Sequence, residues 1–296
     1  MAVGDLITAT RYNNLQTRIA TIFGTGSGTD GYGQSVASSQ VSIGTTISAA
    51  QVNNIVNDMV KARTHQIGSA PGTVTTVSTG DVVAENTSTD PNGALKGYAD
   101  FESLMTDIEA DKFLVAGGQS TAATGISHAS SASWNATRTH EVRMTFTSAN
   151  AARYFFNSGG ELRTSASLTG GSGAKDSDWA TMLSNMGTIK MNYTQTTSTG
   201  TGAGSSIGFY DLTASYQTIF TKSGSGVYSA NDYVVQARSA SSTTVDFKIL
   251  FQDDAGGNPN FDENVTGTLT STVSYLRASG SNVSVAAPAF SNTTTY

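Results

Sequence analysis

Ile7-Thr8-Ala9-Thr10-Arg11-Tyr12-Asn13-Asn14-Leu15 returns 40 positions on as Ile47-Ser48-Ala49-Ala50-Gln51-Val52-Asn53-Asn54-Ile55. In both copies a hydroxyl residue, Thr8 or Ser48, is placed to cap the free amides of a first helical turn, and good helix formers follow. Apolar residues then recur at helical spacing: Tyr12, Leu15 and Ile19 in the first copy, Val52, Ile55, Val56 and Met59 in the second. The repeat predicts two short amphipathic helices, neither able to bury its apolar face alone. Asn is a mediocre helix former, so the Asn-Asn pairs read either as the polar face of a two-helix lid or as lateral hydrogen-bonding groups for a neighbouring helix or another chain. If the partner is another chain, Tyr12, Asn13, Asn14, Leu15, Val52, Asn53, Asn54 and Ile55 form a docking face.

Between the copies runs the glycine-rich stretch Gly24-Thr25-Gly26-Ser27-Gly28-Thr29-Asp30-Gly31-Tyr32-Gly33, which reads as a surface loop. Lys61-Ala62-Arg63-Thr64-His65-Gln66 places basic residues at the negative end of the second helix. Ala70-Pro71-Gly72 marks a loop after it. Val74 to Val83 is β-prone, and Thr89-Asp90-Pro91-Asn92-Gly93 is a turn signal. Tyr98, Phe101, Leu104, Met105 and Ile108 share one face of a helix predicted over 98–112, expected to pack against a sheet.

From about residue 113 the pattern is antiparallel β. Glu141-Val142-Arg143-Met144-Thr145-Phe146-Thr147 alternates, and Arg153-Tyr154-Phe155-Phe156 leads through Asn157-Ser158-Gly159-Gly160 into Glu161-Leu162-Arg163-Thr164-Ser165 as a hairpin signal. Asp176 to Gly187 has an acidic cap, an apolar stripe and a closing glycine, the marks of a short helix. Further strands are expected at 188–193, 216–221, 233–238, 245–251 and 268–276. The fold class is α+β, mainly β. It comprises a helical repeat module (1–68), a connecting strand and amphipathic helix (69–112), and an antiparallel β-sandwich-like domain with one or two packed helices (113–296).

Composition narrows the function. Charged residues make up 13% of the chain, about half the usual share of roughly 25% in soluble domains, and Ser, Thr, Asn and Gly fill the deficit. The surface is therefore neutral and hydroxyl-rich, as on extracellular fibres and virions. A net charge of −6 with 16 Lys and Arg leaves no basic stripe for phosphates, so nucleic acid is not an expected partner. Cysteine is absent, excluding disulfides and thiolate chemistry. Neither a basic segment ahead of an apolar core nor an 18-residue apolar run is present, so no membrane partner is expected.

Motifs for chemistry are weak. Gly26-Ser27-Gly28-Thr29-Asp30-Gly31 fits the dinucleotide glycine pattern by letter, but it follows a helix where that fingerprint needs a strand. There is no Gly-Lys pair and no Gly-x-Ser-x-Gly elbow. His65, His128 and His140 lack the spacing of a helical metal pair, though a Ser-His-Asp triad could assemble in space. Residues 81–111 hold Asp81, Glu85, Asp90, Asp100, Glu102, Asp107, Glu109 and Asp111 against Lys96 alone, which reads as a solvated helix face. Asp253, Asp254, Asp262 and Glu263 gather oxygen ligands in a turn-rich loop and are the candidate cation ligands, without EF-hand order. The same acids are the candidates for a polysaccharide-cleaving enzyme, with no catalytic spacing visible. No cofactor is implied.

Several phrases carry a resemblance: Ala2 to Ala9 (Ala-x-Gly-Asp-Leu-Ile-Thr-Ala), Tyr12-Asn13-Asn14, the glycine loop from Gly24 to Gln34, Lys61 to Gln66, and Ala152-Arg153-Tyr154-Phe155-Phe156-Asn157-Ser158-Gly159-Gly160-Glu161-Leu162-Arg163. They resemble tail-fibre or appendage proteins of tailed bacteriophages, cyanophage virion proteins above all, over about a third of the chain. The resemblance implies a non-enzymatic structural subunit of tail or neck, located in the virion and assembled in the bacterial host cytoplasm. It further implies a homotrimer whose other partners are virion proteins of tail, neck or baseplate. A capsid decoration protein is the structural alternative. A receptor-binding module taking a host surface glycan through loops 199–206, 222–230 and 253–264 is the alternative of a different class.

Overall fold

The computed structural model describes residues 7–81, 83–85, 97–256 and 261–296. The turn expected at Thr89–Gly93, with Asp90 and Lys96, and the opening of the Ala2–Ala9 phrase lie outside the described residues. The chain divides into two compact units. One contains residues up to Thr121 together with Arg153–Gly159 and Arg277–Val285. The other contains Ala122–Ala152, Gly160–Leu276 and Ala286–Tyr296.

Three helices build the first unit: α1 (Ala9–Phe23), α2 (Ala49–Ile67) and α3 (Tyr98–Ala110). Thr8 caps α1 by accepting from the Arg11 amide, and Ser48 and Gln51 form a reciprocal capping box on α2. Each satisfies amides that a helix start otherwise leaves free. The helices run in the same direction. Arg11 reaches Glu102 and Arg18 reaches Glu109 with the same separation of 91 residues, and the Tyr12 hydroxyl donates to the Gln51 carbonyl at 3.1 Å. Their apolar faces meet in a core of Leu15, Ile19, Ile55, Met59, Met105 and Ile108, each at most 3% exposed.

Parallel neighbours require the chain to return to its starting end, and after each repeat helix it does so as an extended strap. After α1 it reverses through Gly26 and Gly28, both at positive φ, a conformation glycine adopts without a steric penalty. It then runs back to Val41, where Asn13 donates to the Val41 carbonyl at 2.9 Å and accepts from its amide at 2.8 Å. After α2 the helix ends on Gly68 in the left-handed conformation. The chain returns to Val77, which Asn53 holds by the same pair of bonds at 2.8 and 2.7 Å.

Two expectations are corrected here. The β-prone stretch from Val74 forms no strand in its described residues, because a helix side chain rather than a partner strand takes the hydrogen bonds of Val77. The helix at 98–112 packs against α1 and α2, not against a sheet. The acids of residues 81–111 are not simply a solvated face: Glu85 and Glu102 bind Arg11, Glu109 binds Arg18, and Asp111 binds Arg63.

The second unit is a sandwich of two antiparallel five-stranded sheets. One has the order β1 (Ser120–Ser130), β9 (Thr268–Ala278), β3 (Glu161–Thr169), β4 (Ile189–Met191) and β5 (Thr196–Ser198). The other has the order β10 (Ala289–Thr294), β2 (Arg138–Thr145), β8 (Thr244–Gln252), β7 (Asp232–Ser241) and β6 (Gln217–Ser223). Val142, Met144, Phe247 and Ile249 on one sheet and Leu162, Leu269 and Val273 on the other are at most 1% exposed, as inward positions of a pleat of period two must be. The helix α5 (Ala174–Met186) buries Trp179 completely, 5.1 Å from the Trp134 ring and 6.2 Å from Phe251.

The hairpin expected at 153–165 is half a helix. Residues Ala149–Asn157 form α4, begun by the Ser148 hydroxyl accepting from the Ala151 amide and followed by Gly159 at positive φ. Ala152, Phe155 and Phe156 are then buried along helical spacing, where an alternating strand would have turned one of the two rings outward.

Candidate functional site

The first unit contains a junction where distant segments converge. Tyr32 leaves the glycine loop 1% exposed, donates to the Lys112 carbonyl at 2.6 Å and accepts from Gln66 Nε2 at 3.0 Å. Burial pushes its hydroxyl well above the ordinary tyrosine range. Arg153 donates to the carbonyls of Asp30 at 2.5 Å and Thr25 at 2.9 Å, and Asn157 donates to Gly31 at 3.3 Å. The ring of Tyr154 lies over Gly33, where an added Cβ would come within 2.3 Å. His65 is fully buried, its ring 5.1 Å from Tyr32 and its Nε2 3.1 Å from the Ser158 carbonyl. Burial lowers its pKa to about 4, so at neutral pH it is the uncharged donor to that carbonyl.

The eight residues of the expected docking face are mostly turned inward. Tyr12, Leu15, Val52 and Ile55 are at most 6% exposed. The amides of Asn13 and Asn53 are engaged within the chain, which accounts for the first Asn of each pair. Asn14 is exposed and Asn54 half-buried.

Of the candidate cation ligands, Asp253, Asp262 and Glu263 gather on Lys175 and Asn135. Asp253 lies 3.1 Å from Lys175 Nζ, with both side chains wholly buried. Asp262 accepts from Asn135 Nδ2 at 2.7 Å, and Glu263 accepts from the Lys175 amide at 2.7 Å and the Tyr228 hydroxyl at 3.0 Å. Asp254 is exposed. An ammonium group thus occupies the position a cation would need beside Asp253, and among the described residues no three His, Cys, Asp or Glu side chains group as a metal site. Of the three loops, 222–230 and 253–264 meet through Tyr228 and Glu263, whereas 199–206 folds back by backbone bonds from Ser205 to Thr196 and Ala203 to Thr221.

A hydrolase-like trio does assemble, and the sequence reading did not place it. His140 Nδ1 is 2.9 Å from Ser271 Oγ and Nε2 is 2.9 Å from Asn292 Oδ1. Ser271 and His140 are both 0% exposed between the sheets, so no acyl group can reach the hydroxyl. His140 and Ser271 form a buried polar link between β2 and β9, with Asn292 of β10 on its exposed side, and the period-two pattern that puts His140 in line with Val142 and Met144 was the signal for it.

No helix among the described residues is long and apolar enough to cross a membrane. Compared with models of protein families, with curated proteins and with solved structures, the chain finds no match.

Proposed function

We propose that this protein is a non-enzymatic structural subunit of a bacteriophage virion, of the tail or neck fibre and appendage type. In this reading the helical unit attaches to the particle and the β-sandwich forms the outward body. The observation that carries the reading is the junction at Tyr32 and His65. The segments bearing the resemblance, namely the glycine loop, Lys61 to Gln66 and the stretch from Arg153, lie far apart in sequence yet bond to one another there. Phrases scattered through a chain by chance have no reason to build one module. The neutral, hydroxyl-rich composition supports the same reading.

The test is chemical cross-linking of purified particles with an amine-reactive reagent. The chain is expected in the particle, and links to other virion proteins are expected from Lys61 of the helical unit. Absence from particles overturns the reading, and links solely from Lys190, Lys222 and Lys248 of the sandwich overturn the assigned polarity.

A further inference from the structure

The mechanical role just described makes no use of Lys175. Its ammonium is 0% exposed and touches two side chains: Asp253 Oδ2 at 3.1 Å and Asn135 Oδ1 at 3.0 Å. The neighbours along the chain are aromatic: Trp179 one turn along α5, Phe251 in β8 two residues before Asp253, and Trp134 next to Asn135, all at most 6% exposed. A charge pair in such surroundings loses hydration that its mutual attraction only partly replaces. Asn135 is itself held: its Nδ2 donates to Asp262 Oδ1 at 2.7 Å, which turns the amide so that its carbonyl end faces the lysine.

We propose that Lys175 and Asn135 form an intramolecular amide cross-link, with Asp253 as the proton acceptor. Lys175 passes a proton to the Asp253 carboxylate, leaving a neutral amine beside a neutral acid. The Nζ lone pair attacks Cγ of Asn135 and forms the new C–N bond. The Asn135 nitrogen takes the second proton that Nζ gives up as its own C–N bond breaks, and Asp253 keeps the proton it took first. Ammonia departs on the exposed side of Asn135, and Asp253 ends as a neutral buried acid. Nothing is oxidised or reduced, and no further reactant is needed. Burial is the largest influence on the Asp253 carboxyl and holds it above its ordinary pKa against the pull of Lys175, so the neutral acid is accessible. A bound nucleophile and carbonyl held in contact at fixed orientation need no collision.

The experiment is intact-mass and peptide mass spectrometry of the full chain. The expected result is a mass lower by one ammonia than the sequence requires, with tryptic peptides 113–138 and 164–190 joined and no cleavage after Lys175. Asn135→Ala and Asp253→Asn are expected to show the full mass of their own sequences. A wild-type chain at full mass, cleaved after Lys175, overturns the proposal. Loss of one water instead, with peptide 249–277 joined to 164–190, overturns Asn135 as acyl partner in favour of Asp253. Cross-linking undiminished in Asp253→Asn overturns the proton-acceptor role.

Discussion

Asn13 and Asn53 each replace a strand partner with one side-chain amide, and each serves both hydrogen-bonding groups of a single buried valine residue. Truncation to Ala leaves an N–H and a C=O on the strap unpaired, a cost of about 1–3 kcal/mol per site. Because the two sites lie on different helices, Asn13→Ala and Asn53→Ala should lower the denaturant midpoint separately at unchanged m-value. His65 sets a pH dependence. Its folded pKa is depressed to about 4 from the ordinary 6.5, so below pH 6.5 the unfolded chain binds a proton that the folded one refuses. The stability it contributes is complete above pH 6.5 and is lost as pH falls towards 4. His65→Gln, which keeps a donor for the Ser158 carbonyl, should show a shallower fall in thermal midpoint between those pH values. An equal slope would remove His65 as the cause.

Between helices and straps, the decisive features are the ends and reversals. The capping box of Ser48 and Gln51 satisfies amides at both the start and the third position of α2. Ser48→Ala should therefore cost about 1 kcal/mol, read as a lower midpoint in urea. Gly33 sits at a φ of +72° against the Tyr154 ring. Gly33→Ala combines a strained backbone with a clash, and a loss of about 2 kcal/mol or more is expected. These elements also show what a linear reading can and cannot see. The helices at 9–23 and 49–67 were legible because caps and apolar spacing agree locally. The strands β2, β7, β8 and β9 were legible because one face is apolar and the other polar. The edge strands β1 and β10 were not, since each carries a single large apolar residue, Ile126 or Phe290, among mostly small and polar ones, and the burial pattern barely alternates. The helix at 149–157 was missed because aromatic pairs suit either period, and only the Ser148 cap and the buried partners select the helix.

For the whole molecule, the proposed appendage role predicts a symmetric assembly. Light scattering after size exclusion should return a mass near three times 30.6 kDa, and a stable single-chain mass would count against the trimeric appendage. The amino-acid sequence by itself determined the class of fold, the two repeat helices with their caps, the low-charge surface and the absence of thiol chemistry. All of these follow from local propensity, spacing and composition. Which groups meet was decided by tertiary structure alone. The parallel course of the helices, the valine straps held by Asn13 and Asn53, the convergence of the glycine loop with His65 and Arg153, and the burial of Lys175 against Asp253 and Asn135 all join residues dozens of positions apart. Such contacts depend on which apolar faces close on one another and on which polar groups that closure leaves to be satisfied. Neither is encoded in the spacing of any one segment.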